Sequence, residues 1–213
     1  MKLAFQLAYK NLIGSGLRTW LNVGVLSFAF VIMIFYNGLI DGWDQQAKID
    51  SVAWEYGHGQ FLQENYDPYD PFTLQDGHAE YDNQQIEGIC PILIRQATIY
   101  PEGRMLSVSL KGIEAQQEIL QLPTAQLESS EAFIPAVIGK RMAESANLEQ
   151  GDEVLLRWRD KNGTFDAANI TIVSIFDCNV PNVDNGQIWV SIEKLWEMTG
   201  LDHHATMFIA SED

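Results

Sequence analysis

The chain has 213 residues, 13 of them basic and 29 acidic, for a formal charge of −16 at pH 7. That balance argues against a nucleic-acid partner, because phosphate recognition needs a basic surface. The charge is also uneven. Residues 1–40 hold Lys2, Lys10 and Arg18 and no acid, so residues 41–213 carry all 29 acids against ten bases.

The opening stretch, MKLAFQLAYKNLIGSGLR, is too polar to cross a membrane and too apolar to be a free tail. Lys2, Gln6 and Lys10 recur every four residues, while Phe5, Tyr9, Leu12 and Ile13 fall on another face that Leu3 and Leu7 interrupt. This predicts an interfacial helix within residues 1–17, with Gly14-Ser15-Gly16 as an elbow.

From Thr19 to Ile40 there are 22 residues without a charge, with VGVLSFAFVIMIFY at their centre. At about 1.5 Å per residue a helix of that length covers roughly 33 Å, enough for a hydrocarbon core of about 30 Å. A transmembrane helix is therefore expected over residues 18–41. A cleaved signal peptide has a shorter apolar region and a small-x-small cleavage site, whereas YNGLIDGW follows here with no Ala-x-Ala. A core helix uncharged over this length is unusual in a domain of this size. Lys10 and Arg18 precede the span and Asp41 and Asp44 follow it, which predicts a cytoplasmic N-terminus and an extracytoplasmic remainder. Trp20, Tyr36 and Trp43 fall near the two ends, where amphipathic rings rest at headgroup depth.

Residues 42–213 suffice for one core or for two small lobes, and their pattern is α+β. Strands are expected at Val52 to Leu62, Ile92 to Tyr100 and Met105 to Gly112, and helices at Glu114 to Gln121, Lys140 to Asn147 and Ser191 to Thr199. EVLLRWRDKNGTFDAANITIVSIF reads as a hairpin turning at Asn162-Gly163, a dipeptide suited to positive φ. QENYDPYDPFTLQDGH, rich in Pro, Asp and Gly, reads as a long loop. In an oxidising compartment Cys90 and Cys178 would either pair or remain two buried thiols.

Catalytic patterns are absent. Gly139-Lys140-Arg141 lacks the glycine spacing and hydroxyl residue of a phosphate loop, and no Gly-x-Ser-x-Gly follows a strand. His58, His78, His203 and His204 have no zinc-ligand spacing, and His203-His204 is expected to interact with a helix C-terminus. Asp67, Asp70 and Asp76 do not fit an EF-hand and are expected in a solvated acidic loop. No cofactor, metal or catalytic residue is expected.

Ala8-Tyr9-Lys10-Asn11-Leu12 and Arg18-Thr19, in that order and spacing, resemble the opening of the MacB/LolC/LolE/FtsX superfamily of ABC-transporter permeases. Further on, YGHGQF is similar to a "Gly-His-x-Gln" strand of the lipoprotein-releasing type, and VSLKGI to the strand that follows. VIGKRMAESANLEQGDEVLLR is similar to an "Ile-Gly-x-x-(Leu/Met)-Ala" block, and IWVSIEKLWEMTGL to the close of the outer domain. Read from the residues alone, the Gly139 to Asp152 block is scaffold. The resemblance implies a partner cytoplasmic ABC ATPase, a second permease copy or paralogue, and a lipoprotein or amphiphilic substrate moved at the outer face of the bacterial inner membrane. It also implies three further spans, yet this sequence holds no second apolar run of 18 residues. A piece of a longer permease is expected, or a single-span relative. An anchored sensor domain and a relay of force to a cell-wall enzyme are the competing functions.

Overall fold

The computed structural model describes residues 2–14, 16–81 and 88–212. They form two compact units, residues 1–46 and residues 47–213. Met1, Ser15 of the expected elbow and Asp213 lie outside the described residues.

In the first unit the expected interfacial segment is helix α1 (Lys2–Gly14), and the expected span lies in α2 (Leu17–Ser51). The side chains described along both are almost all exposed, including Phe5, Trp20, Phe28 and Phe35. An apolar helix with nothing packed on it requires another apolar medium, and α2 is long and apolar enough to cross a membrane. Asn37, the polar residue late in that stretch, donates from Nδ2 to the Met33 carbonyl at 2.8 Å and so satisfies one of its donors within the helix. Helix α2 runs ten residues past the expected end at residue 41. The polar continuation, DQQAKIDS, contains good helix formers such as Ala47 and Lys48, so loss of hydrophobicity does not end the helix.

The second unit is a mixed α+β domain. Its strands are β1 (Gly59–Leu62), β2 (Ala79–Glu80), β3 (Ile89–Ile99), β4 (Leu106–Ile113), β5 (Pro135–Gly139), β6 (Glu153–Arg159), β7 (Phe165–Phe176), β8 (Gln187–Ser191), β9 (His204–Ala205) and β10 (Met207–Ala210). The helices are α3 (Ala125–Ser129), α4 (Lys140–Ala146), α5 (Pro181–Asp184) and α6 (Ile192–Thr199). Eight strands lie in the order β1-β10-β3-β4-β8-β5-β7-β6, and β6 also pairs with β3, so the sheet closes on itself. Strand β3 makes this possible. One edge pairs with β4, while the other pairs first with β10 through residues 89–92 and then with β6 through residues 97–99.

Alternation along the strands separates two apolar layers. Leu93, Ala97 and Ile99 of β3 join Val108 and Leu110 of β4 and Ile188 and Val190 of β8 in one core, to which α4 adds Met142 and α6 adds Leu195. The other face presents Ile92, Ile94, Ile113, Val137 and Trp189 to a second core that Leu120, Leu122 and Val183 help to cover.

Three sequence expectations need correction. Val52 to Leu62 is not one strand: a π-helical turn at Val52–Tyr56 carries Trp54 onto Phe176, with ring centroids 5.6 Å apart, and only Gly59–Leu62 is extended. Glu114 to Gln121 is not a helix. The Gln117 side chain accepts from Leu120 N at 2.7 Å and donates to Leu120 O at 3.0 Å, while Gln121 N donates to Ala53 O, so backbone polar groups are met by a local side chain and one tertiary partner instead of by helical bonds. The hairpin β6–β7 does form, but its loop is five residues long. Asp160 Oδ1 accepts from Asn162 N and Thr164 N, and Gly163 alone takes positive φ, at 78°.

Candidate functional site: a cleft over the outer sheet face

The cross-strand register places four polar side chains together. Strands β4 and β8 are parallel with Ser109 beside Gln187 and Lys111 beside Trp189, and antiparallel β3 sets Gln96 opposite Ser109 and Ile94 opposite Lys111. These six side chains therefore share one face. Over it lies a cleft of about 790 Å³, within the range of small-molecule sites (about 300–1,000 Å³). The π turn gives it Glu55 and Tyr56, and the loop after β1 gives it Tyr66, Tyr69 and Leu74.

Local hydrogen bonds shape that loop. Asp67 Oδ1 accepts from Tyr69 N and Asp70 Oδ1 from Phe72 N, and Thr73 Oγ1 donates to the Asp70 carbonyl at 2.7 Å. Arg95 anchors it from β3. Its Nη1 donates to the carbonyls of Leu74 and Gln75 at 3.0 and 3.2 Å, satisfying the end of the short 3₁₀ turn Pro71–Leu74.

Lys111 is the cation of the cleft. Its Nζ stands 4.8 Å from the centroid of the Trp189 ring, and among the described residues no carboxylate lies within ion-pair distance. Burial pulls the ammonium pKa down to about 8, against a smaller opposing pull from Glu55. Beside it Gln187, 7% exposed, keeps its Oε1 buried and, among the described residues, without a partner, and Trp189 Nε1 is likewise unpartnered among them. A buried polar group left unpaired costs on the order of 1–3 kcal/mol.

The residues singled out from the sequence lie elsewhere. Lys10 is on α1, and Arg18, Trp20, Tyr36 and Trp43 are on α2, all exposed. Cys90 and Cys178 are free, buried thiols of the second core, donating to the Pro91 and Val180 carbonyls. Burial pushes the Cys90 thiol up to about 12 and raises that of Cys178. His203 and His204 do not interact with a helix C-terminus: α6 ends at Thr199, His203 packs on Trp196, and His204 begins β9. His78 and His204, far apart in sequence, meet edge to face at 5.1 Å because β2 pairs with β9. Asp67 and Asp70 serve the loop backbone, and among the described residues no three His, Cys, Asp or Glu side chains form a metal-binding group. Lys111 and Gln187 were missed because neither belongs to a motif. The alternation of SVSLKGI placed Lys111 on a strand face, but only the β4–β8 pairing gives that face its partners.

No protein-family model and no curated protein matches the chain. Among solved structures it is similar to the extracellular domain of the noncanonic ABC-type transporter YknZ from Gram-positive bacteria, at 13% identity and a TM-score of 0.39, over 72% of this chain and 74% of that one. It is also similar to the periplasmic region of MacB from Actinobacillus actinomycetemcomitans, at 13% identity and a TM-score of 0.40, over 73% and 68%. At these values the likenesses fix no residue role and no activity in this chain.

Proposed function

We propose that this chain is the membrane-anchored outer part of an ABC-transporter permease subunit, performing no covalent chemistry itself. A separate cytoplasmic ATPase would hydrolyse ATP, and paired permease subunits would carry the movement to outer domains that shift lipoproteins or other amphiphiles at the bacterial inner membrane. One observation carries the reading: an exposed helix whose uncharged stretch from Thr19 to Ile40 has bases before it and acids after it joins an α+β domain in one chain. The permease-like motifs from Ala8 to Leu201 occur in order along that same chain and support it.

The experiment has two arms. A reporter active only outside the cytoplasm, fused after Gln60, is expected to be active; inactivity reverses the orientation. Purified in lipid with its ATPase, the full-length protein is expected to lose ATP hydrolysis when the ATPase phosphate-loop lysine is replaced. Hydrolysis is expected to survive Ala at His58, His78, His203 and His204 within a few fold. ATP hydrolysis by this chain alone would overturn the proposal.

A second reading, an anchored ligand-binding domain, draws its support from the cleft over Lys111. It differs in needing no ATPase.

A further inference from the structure

The cleft wall includes two groups whose ordinary partners are absent among the described residues, the Lys111 ammonium and the buried Gln187 Oε1 acceptor, while Trp189, whose Nε1 is also unpartnered among them, belongs to the second core. Both are fixed by the sheet. Gln187 and Trp189 are two residues apart on β8, and Lys111 is held beside Trp189 by the parallel register with β4. A flexible surface lysine would leave the ring for water, whereas Lys111 sits partly buried between Ile94 on one neighbouring strand and Trp189 on the other.

The walls define the rest of a ligand. Leu62, Leu74 and Met207 provide apolar surface, and Tyr66 and Tyr69 provide rings, Tyr69 being 95% exposed at the edge of the loop. An aromatic ring left in water at the mouth of a cleft offers area for stacking at low entropic cost. Besides Lys111, the charged groups of the cleft are Glu55 from the π turn and Asp67 and Asp70 from the loop, while β3, β8 and β10 contribute uncharged side chains. An anion can be held only at Lys111, and a dianion or long polyanion would meet those acids.

We propose that this cleft binds a small monocarboxylate whose carboxylate sits on Lys111 Nζ, whose adjacent amide N–H donates to Gln187 Oε1, and whose apolar or aromatic body lies against Leu74, Met207 and Tyr69. N-acylated amino acids and the C-terminal residue of a short peptide share this chemistry. The site lies wholly within residues 47–213 and holds whether or not the chain works with an ATPase.

The test uses the full chain in lipid nanodiscs at neutral pH, titrated calorimetrically with N-acetylphenylalanine. Saturable one-to-one binding is expected. N-acetylphenylalaninamide, lacking the carboxylate, is expected to bind at least about tenfold more weakly, and 3-phenylpropionate, lacking the amide donor, about tenfold more weakly. The Lys111→Met variant is expected to lose binding while melting cooperatively at a temperature no lower than the parent, because removing a desolvated charge does not weaken the fold. Gln187→Met is expected to bind N-acetylphenylalanine and 3-phenylpropionate equally. Affinity is expected to fall as pH rises through about 8, where Lys111 loses its proton. An N-acetylated dipeptide with a free C-terminal carboxylate that binds as well as N-acetylphenylalanine assigns the peptide source, and one that fails assigns the single acylated residue. Absence of saturable binding at millimolar ligand, equal binding of acid and amide, or unchanged binding by Lys111→Met would overturn the proposal.

Discussion

Gly139 shows how a single residue can be set by an approach distant in sequence. A Cβ built there would collide with the Asp184 backbone, so α5 closes onto β5 only because no side chain intervenes. Asp184, 1% exposed, then accepts from Arg141 N at 3.2 Å and pairs with Arg141 Nε at 3.2 Å. Gly139→Ala is expected to destabilise the domain by at least about 2 kcal/mol, read as a lowered urea midpoint, because backbone rather than a flexible side chain must move.

His78 is a residue-scale sensor of pH for a different reason. Burial lowers its pKa first, and the nearby Arg95 and His204 lower it further, against a smaller opposing effect of the Gln75 hydrogen bond and Asp76. Above its ordinary value of 6.5 both folded and unfolded imidazoles are neutral. Below it the unfolded chain takes a proton that the folded one resists, so stability falls as pH drops. Denaturant melts at about pH 7.5 and about pH 5.5 are expected to show a smaller acid loss for His78→Gln than for the parent; equal losses would remove His78 as a contributor.

At the scale of elements, α2 and α6 form for opposite reasons. Helix α6 is short and amphipathic: Ser191 Oγ accepts from Lys194 N at 3.2 Å at its start, and Gly200 ends it with φ 68°. Ile192 and Leu195 then pack into the first core, Leu195 against Gly112 of β4. Helix α2 buries none of its described side chains along its apolar stretch and depends on its medium. Arg at Met33, in the middle of that stretch, is expected to cost about 2.5–3.5 kcal/mol of insertion and to lower the membrane-integrated fraction, measured by glycosylation mapping or carbonate extraction. The same Arg in a helix covered by protein would instead unfold the domain.

At the scale of the molecule, the residues after Gln46 form their own compact unit with two apolar layers around a closed sheet. Residues 47–213 are expected to give a soluble protein with one cooperative melting transition, followed by circular dichroism and tryptophan fluorescence together. Non-coincident transitions would show that the unit is incomplete. The span, the orientation signal and the α+β class were legible because hydrophobic length, flanking charge and strand alternation are local properties of the chain. The expected β3, β4, α4 and α6 were legible for the same reason, to within a few residues at their ends. What the tertiary structure alone decided is non-local: the closure of β6 onto β3, the bond from Gln121 N to the Ala53 carbonyl in the segment expected to be a helix, and the meeting of Lys111, Gln187 and Trp189. Those residues lie about 75 positions apart, and no sequence period records which strand becomes the neighbour of which; parallel pairing of β4 with β8 is fixed by burying the whole sheet at once.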